Sequence, residues 1–305
     1  MRLCWAVYLA VLALVTSGCA LFKGAAMVFV YKKAPLTTAQ VHLDIPYSDS
    51  KSPKNRLDLF LPTGTNWPVM VFVYGGGWTE GDKSFKFGGD DVYGNIGRFY
   101  AARGVGVAVI NYRLLPQVKW QEQISDVARA TAWAYDHIAG YGGDRRRFFL
   151  CGHSAGAQLV DRIALDVKPL TDTGHSPKII SGVISVSGAG LDMTDQLTYT
   201  LGESPAYFAK RFATDPQPGD WQKIASPVTY IRAESPPFLI LYAGGETKAL
   251  IRQSQHFSDV LTQAGVQNNL VMVPGQSHAR MVLALSRDDK TAGPAVLEFI
   301  NSLHR

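Results

Sequence analysis

The sequence predicts an α/β domain with a doubly wound, mostly parallel sheet and helices on both faces. Two observations carry that prediction. From residue 40 onward, short β-branched runs alternate with longer stretches of helical periodicity. Those runs are apolar throughout rather than at every second residue, so both faces of each strand need covering. The 305 residues suffice for one such domain, and no linker, repeat or low-complexity stretch divides it.

The first residues stand outside this pattern. Arg2 supplies a positive charge, and Leu3 to Val15 is an unbroken apolar run. That run is shorter than the roughly 20 residues that span a bilayer and fits the core of a signal peptide. The following "VTSGC" resembles a bacterial lipobox, with Thr16 where Leu is usual. On that resemblance residues 1–18 are a signal peptide and Cys19 is lipidated, placing an exported protein on a bacterial membrane, facing the periplasm or the outside. Ala20 leans towards the outer membrane. A plain cleaved signal and an uncleaved anchor are the alternatives. Residues 19–39 read as a membrane-proximal tether and residues 40–305 as the α/β domain.

Composition narrows the function classes. The charge is +5, yet Lys and Arg are scattered and the only basic run is Arg145-Arg146-Arg147, so there is no stripe for a nucleic acid. Of three cysteines, Cys4 would leave with the signal and Cys19 would be acylated, leaving Cys151 in an apolar strand. Neither an internal disulfide nor a cysteine metal site is expected. The seven histidines include no H-x-x-x-H or H-E-x-x-H spacing, which argues against a zinc hydrolase.

Within the domain, "VHLDIPYS" and "RLDLFLP" alternate like a leading antiparallel pair. Strands follow at Val69–Val73, Val105–Asn111, Phe148–Cys151, Ile179–Ser187, Phe238–Ala243 and Leu270–Val273, with helical stretches such as Gln121–Ile138 and Gln253–Ala264 between them. Residues 191–235 lack strand pattern and hold Tyr199, Tyr207, Phe208, Phe212 and Trp221.

"RFFLCGHSAGAQLVDRIAL" reads as an apolar strand, a glycine-flanked turn at Ser154 and an amphipathic helix. That is the setting a nucleophile elbow requires, with Gly152 and Gly156 leaving room for strand to pack on helix. Upstream, "VMVFVYGGGWTEGDKS" puts consecutive glycines after a strand, where backbone N–H groups can converge on a developing oxyanion. Gly76 and Gly77 are the candidate donors, with Ala155 after the nucleophile as the third. A phosphate cradle would need G-x-x-x-x-G-K-[ST], which is absent.

With these motifs, together with "NYRLLPQ", "AYDHIAGYGGD" and "SPP" before a late strand, the chain resembles the α/β-hydrolase superfamily. Within it, the chain is similar to esterases of the hormone-sensitive-lipase, kynurenine-formamidase and prenylcysteine-methylesterase group. The likeness runs from about residue 40 to 300, with one departure: Tyr74 stands where most of these esterases carry His. The family's order of Ser, acid and His points to His278 as the base, in the loop after the last strand. His153, beside Ser154, reads as elbow packing. The acid should follow "PPFLILYAG", where the family usually has Asp and this chain offers only Glu246, seven residues before Gln253 of an R-Q-S motif as in formamidase-like relatives. A solvated loop Glu, with another Asp serving as the acid, is the alternative.

The resemblance implies a cap-like insertion at residues 191–235. Trp78, Tyr207 and Trp221 are candidate pocket residues, and packing in the core is the equal alternative. It also implies a serine carboxyl-ester hydrolase that cleaves a small-molecule, short-chain acyl ester without metal or organic cofactor. An amidase or formamidase, and an inactive binding module on the same fold, are the rival expectations.

Overall fold

The computed structural model describes residues 40–303 except 88–89, 215–218 and 289–290. The expected signal peptide, Cys19 and the tether lie outside the described residues. The chain opens with β1 (Val41–Pro46) and β2 (Arg56–Phe60), which pair antiparallel. Then come β3 (Trp67–Val73), α1 (Val92–Ala101), β4 (Gly106–Ile110), α2 (Trp120–His137), β5 (Gly143–His153) and α3 (Ala155–Leu165). β6 (Gly182–Val186), α4 (Pro205–Phe212), β7 (Phe238–Ala243), α5 (Lys248–Gln263), β8 (Asn268–Val273) and α6 (Ala292–Ser302) complete it.

These eight strands form one sheet in the order β1-β2-β4-β3-β5-β6-β7-β8, and Lys86–Phe87 pairs with Asp90–Asp91 in a separate small ribbon. β2 runs antiparallel to β4, and every later pair is parallel. Every residue of β3, β4 and β6 is buried, as two covered faces demand. α1 and α6, bridged by the short helix Met281–Ala284, lie on one face; α2, α3 and α5 pack on the other, where Pro227–Tyr230 bridges α3 and α5. This is the doubly wound architecture expected from the apolar runs.

Three boundaries moved by three residues or more, each for a local reason. α5 begins at Lys248 rather than Gln253, because the Thr247 hydroxyl accepts from the Leu250 N–H and caps the helix earlier. Pro177–Ile179 is a 3-10 turn capped by Ser176, so β6 starts only at Gly182. β5 extends back to Gly143 through Asp144 and three arginines, residues whose polarity hides a strand from a hydrophobic pattern.

Because the central strands are parallel, their carboxyl ends open on one edge of the sheet. The glycine loop follows β3, Ser154 follows β5, Glu246 follows β7 and His278 follows β8. The topology alone therefore gathers residues as far apart as Gly76 and His278, about 200 positions, as ligand sites in open α/β sheets require.

Candidate active site

Ser154 sits between β5 and α3 with φ 57° and ψ −121°, a conformation that costs a non-glycine residue about 1–3 kcal/mol. Its neighbours hold it there. The Ser154 N–H donates to the Val186 carbonyl at 2.9 Å, and the Ser154 carbonyl accepts from the Ala157 N–H at 3.0 Å. The flanking glycines are required by contact: a Cβ on Gly156 would stand 2.2 Å from the Val73 carbonyl oxygen, and one on Gly152 2.2 Å from that of Gly156. The turn thus lifts the serine side chain off the sheet edge while β3, β5 and α3 stay in contact.

A continuous hydrogen-bonded chain starts at that hydroxyl. Ser154 Oγ lies 2.8 Å from His278 Nε2, and His278 Nδ1 lies 2.8 Å from Glu246 Oε1. The Glu246 side chain is fully buried, and its other oxygen accepts from the Ala243 N–H at 3.2 Å. A buried carboxylate facing Nδ1 places the imidazole proton there, leaving the Nε2 lone pair directed at the serine hydroxyl. Such an arrangement can remove the hydroxyl proton as the oxygen attacks and return it to a leaving group. Glu246 is therefore a buried partner of His278 and not a solvated loop residue.

The glycine loop arches beside the serine. Gly76 has φ +122°, and a Cβ there would lie 2.0 Å from the Glu80 carbonyl oxygen. Thr79 and Glu80 donate their N–H groups to the Gly76 carbonyl and close the turn. Among the described residues the N–H groups of Gly76, Gly77 and Ala155 have no protein acceptor, which leaves three donors for a ligand oxygen. Tyr74, the departure from the family pattern, buttresses this loop from below. Its ring is fully buried and stacks on Tyr112 at 4.8 Å and Tyr93 at 5.6 Å, and the Tyr112 hydroxyl donates to its carbonyl.

Two of the three expected pocket aromatics lie elsewhere. Trp78 is fully buried. Its indole N–H donates to Gln158 Oε1 at 3.0 Å, its carbonyl accepts from Gln123 and Leu115, and its ring packs on Phe212 at 4.9 Å. It fastens the loop instead of lining the cavity. Trp221 is half-buried against the core on the short helix Trp221–Ala225, which Gln158 and Arg162 tie alongside α3 through the Ala225 and Ile224 carbonyls. Tyr207, on α4, does line the cavity with Ser154 and His278. That cavity measures about 640 Å³, with Phe85, Tyr93, Val282 and Leu283 on its apolar wall and Arg211 and Glu80 as its charged residues.

His153 does more than pack the elbow. Its Nε2 lies 3.0 Å from the His278 carbonyl, and since a carbonyl only accepts, Nε2 carries the proton. Burial, then the neighbouring His278 ring, hold its pKa down to about 3, so the ring is neutral at physiological pH. No sequence signal announces this latch, because the bond spans 125 positions and ends on a backbone oxygen. The unfolded value is about 6.5, so between these pH values the unfolded chain binds more protons. The neutral ring therefore contributes stability that is present above pH ~6.5 and lost as pH falls towards 3. In urea unfolding, wild type is expected to lose roughly 3 kcal/mol more than His153→Phe between pH 7 and pH 4. Parallel pH profiles for the two proteins would refute the assignment.

A model of the BD-FAE family matches residues 57–261. The chain is 31% identical over 273 residues to Esterase LipQ of Mycobacterium tuberculosis (strain ATCC 25618 / H37Rv), an alignment covering 86% of this chain and 62% of that protein. It is 28% identical over 264 residues to the isoprenylcysteine alpha-carbonyl methylesterase ICME of Arabidopsis thaliana, covering 80% and 58%. The chain thus spans about three fifths of the length of these curated relatives. Among solved structures, the inhibited Esterase B from Lactobacillus rhamnosis superposes with a TM-score of 0.72 at 21% identity, covering 96% of both chains. A truncated carbohydrate esterase from gut microbiota gives 0.70 at 19% identity, covering 90% of this chain and 98% of that one. These likenesses establish the α/β-hydrolase fold.

Proposed function

This chain belongs to the BD-FAE family, and from that premise we propose that it is a carboxylic ester hydrolase working through an acyl-enzyme on Ser154. The observation that carries the reading is the chain of two 2.8 Å contacts from Ser154 through His278 to the buried Glu246, opening into the cavity. In the reaction, His278 Nε2 takes the Ser154 proton as Oγ bonds to the ester carbonyl carbon. The carbonyl oxygen becomes an oxyanion that the N–H groups of Gly76, Gly77 and Ala155 receive, each such donor being worth about 3–4 kcal/mol in the transition state. As the carbon–alcohol bond breaks, His278 gives its proton to the departing oxygen. Water then repeats the sequence on the acyl-enzyme and releases the acid. Glu246 keeps His278 in the working tautomer throughout.

Relatives named as esterases support the ester over other acyl compounds. A cavity of about 640 Å³ has room for a small-molecule ester with both its acyl and alcohol parts. Nothing local favours an amide: Gln253 of the R-Q-S motif is buried, and its side chain accepts from the Leu191 N–H rather than lining the cavity.

Stopped-flow hydrolysis of p-nitrophenyl acetate and butyrate tests the proposal. A burst of nitrophenol equal to the enzyme concentration is expected, followed by slower turnover. A matched p-nitroanilide should turn over far more slowly. No hydrolysis of acetate through octanoate esters, with no labelling of Ser154 by a fluorophosphonate, would leave the inactive binding module as the better description.

A further inference from the structure

We infer that Arg211 gives this site a preference for esters bearing an anionic group, a carboxylate in the simplest case, on the acyl chain or on the leaving alcohol. The inference rests on the ester-hydrolase reading above and adds a substrate class to it. Arg211 lines the same cavity as Ser154 and His278. Three contacts hold it in place. Its Nε donates to the Gly77 carbonyl at 2.8 Å, its Nη1 donates to the Tyr207 carbonyl at 2.8 Å, and its guanidinium carbon lies over the Tyr207 ring, 3.5 Å from the centroid.

Several arginines elsewhere are paired with a carboxylate, Arg113 with Asp126, Arg162 with Asp166 and Arg252 with Asp195, whereas among the described residues the half-buried Arg232 guanidinium, which lies outside this cavity, meets only backbone carbonyls. Among the described residues Arg211 has no carboxylate partner, and its Nη2 makes no hydrogen bond. Nη2 stands 3.7 Å from where a side chain on Gly77 would begin, which puts this donor beside the candidate oxyanion loop. Glu80, the cavity's carboxylate, is exposed and not paired with it. A half-buried, pre-positioned guanidinium with donors to spare matches the planar fork of a carboxylate, and little side-chain entropy remains to be lost on binding. The apolar wall of Phe85, Tyr93, Val282 and Leu283 accommodates the hydrocarbon part of the same substrate.

A purely structural role, tying α4 to the glycine loop through Gly77, makes a different prediction. Steady-state kinetics on the full chain separate the two with matched pairs: p-acetoxybenzoate against p-acetoxybenzamide for the alcohol side, and p-nitrophenyl monoadipate against p-nitrophenyl hexanoate for the acyl side. For one pair, the charged-to-neutral ratio of kcat/KM is expected to fall about tenfold in Arg211→Gln, mainly through KM, and to recover in part in Arg211→Lys. In wild type that ratio should also fall with added salt. Equal losses on charged and neutral esters in both pairs would overturn the inference and leave Arg211 a loop fastener. Calorimetric binding of p-acetoxybenzoate and p-acetoxybenzamide to Ser154→Ala reads the preference without turnover. Failure of wild type on every ester, charged and neutral alike, would overturn the hydrolase reading instead, and the binding arm would still decide the role of Arg211.

Discussion

Ser154→Ala is expected to lower kcat for p-nitrophenyl butyrate by about ten-thousand-fold or more, with KM changed little. The variant keeps the cavity, the glycine loop and the His278–Glu246 contact, so binding and oxyanion stabilisation persist while the acyl-enzyme cannot form. His278→Ala should cost about as much, because an un-ionised hydroxyl that has lost the base 2.8 Å away is a poor nucleophile. The double variant should be scarcely worse than either single one. Groups that act in one proton transfer fail together, so their effects do not add. Single-turnover kinetics on the three proteins, each checked for folding by circular dichroism, decide the matter. Additive losses, or residual activity above about 1%, would mean that another nucleophile carries the reaction.

Glu246→Gln carries the second large effect, a fall in kcat of about a thousand- to ten-thousand-fold. Glutamine has nearly the same shape, so the fully buried site stays filled. The electrostatics change, however. An amide that turns its NH2 group towards Nδ1 makes that nitrogen an acceptor, shifting the imidazole proton to Nε2, where it faces Ser154 and blocks proton removal. An amide that turns its oxygen instead keeps the tautomer but no longer stabilises the imidazolium that forms. Glu246→Asp retains the charge but retracts it by one methylene, and an intermediate loss is expected. Rates within tenfold of wild type for Glu246→Gln would reassign the acid to another carboxylate.

Much of the candidate site was legible because its constraints are local. Gly152 and Gly156 fall at spacings where the chain must cross itself with no room for a Cβ, and a glycine run after an apolar strand has few other uses. Glu246 was legible for a weaker reason, being the only carboxylate in the loop after β7. Aromatic residues were less readable. Trp78, Tyr207 and Trp221 look alike to a composition argument, yet one fastens the loop, one lines the cavity and one packs alongside α3. A large amphipathic ring serves any of these roles, and only its surroundings choose.

The order of strands and helices, and thus the fold class, came from the sequence alone, because hydrophobic periodicity and glycine placement act over a few residues. The sequence likewise singled out Ser154, His278 and Glu246 as the residues to compare. Tertiary structure decided which groups meet: the His153 latch on the His278 carbonyl, the burial of Glu246 and the approach of Arg211 to Gly77 across 134 positions. Such contacts depend on how eight strands twist and where their loops land. No local pattern encodes that placement, because the energy that sets it is spread over the whole core.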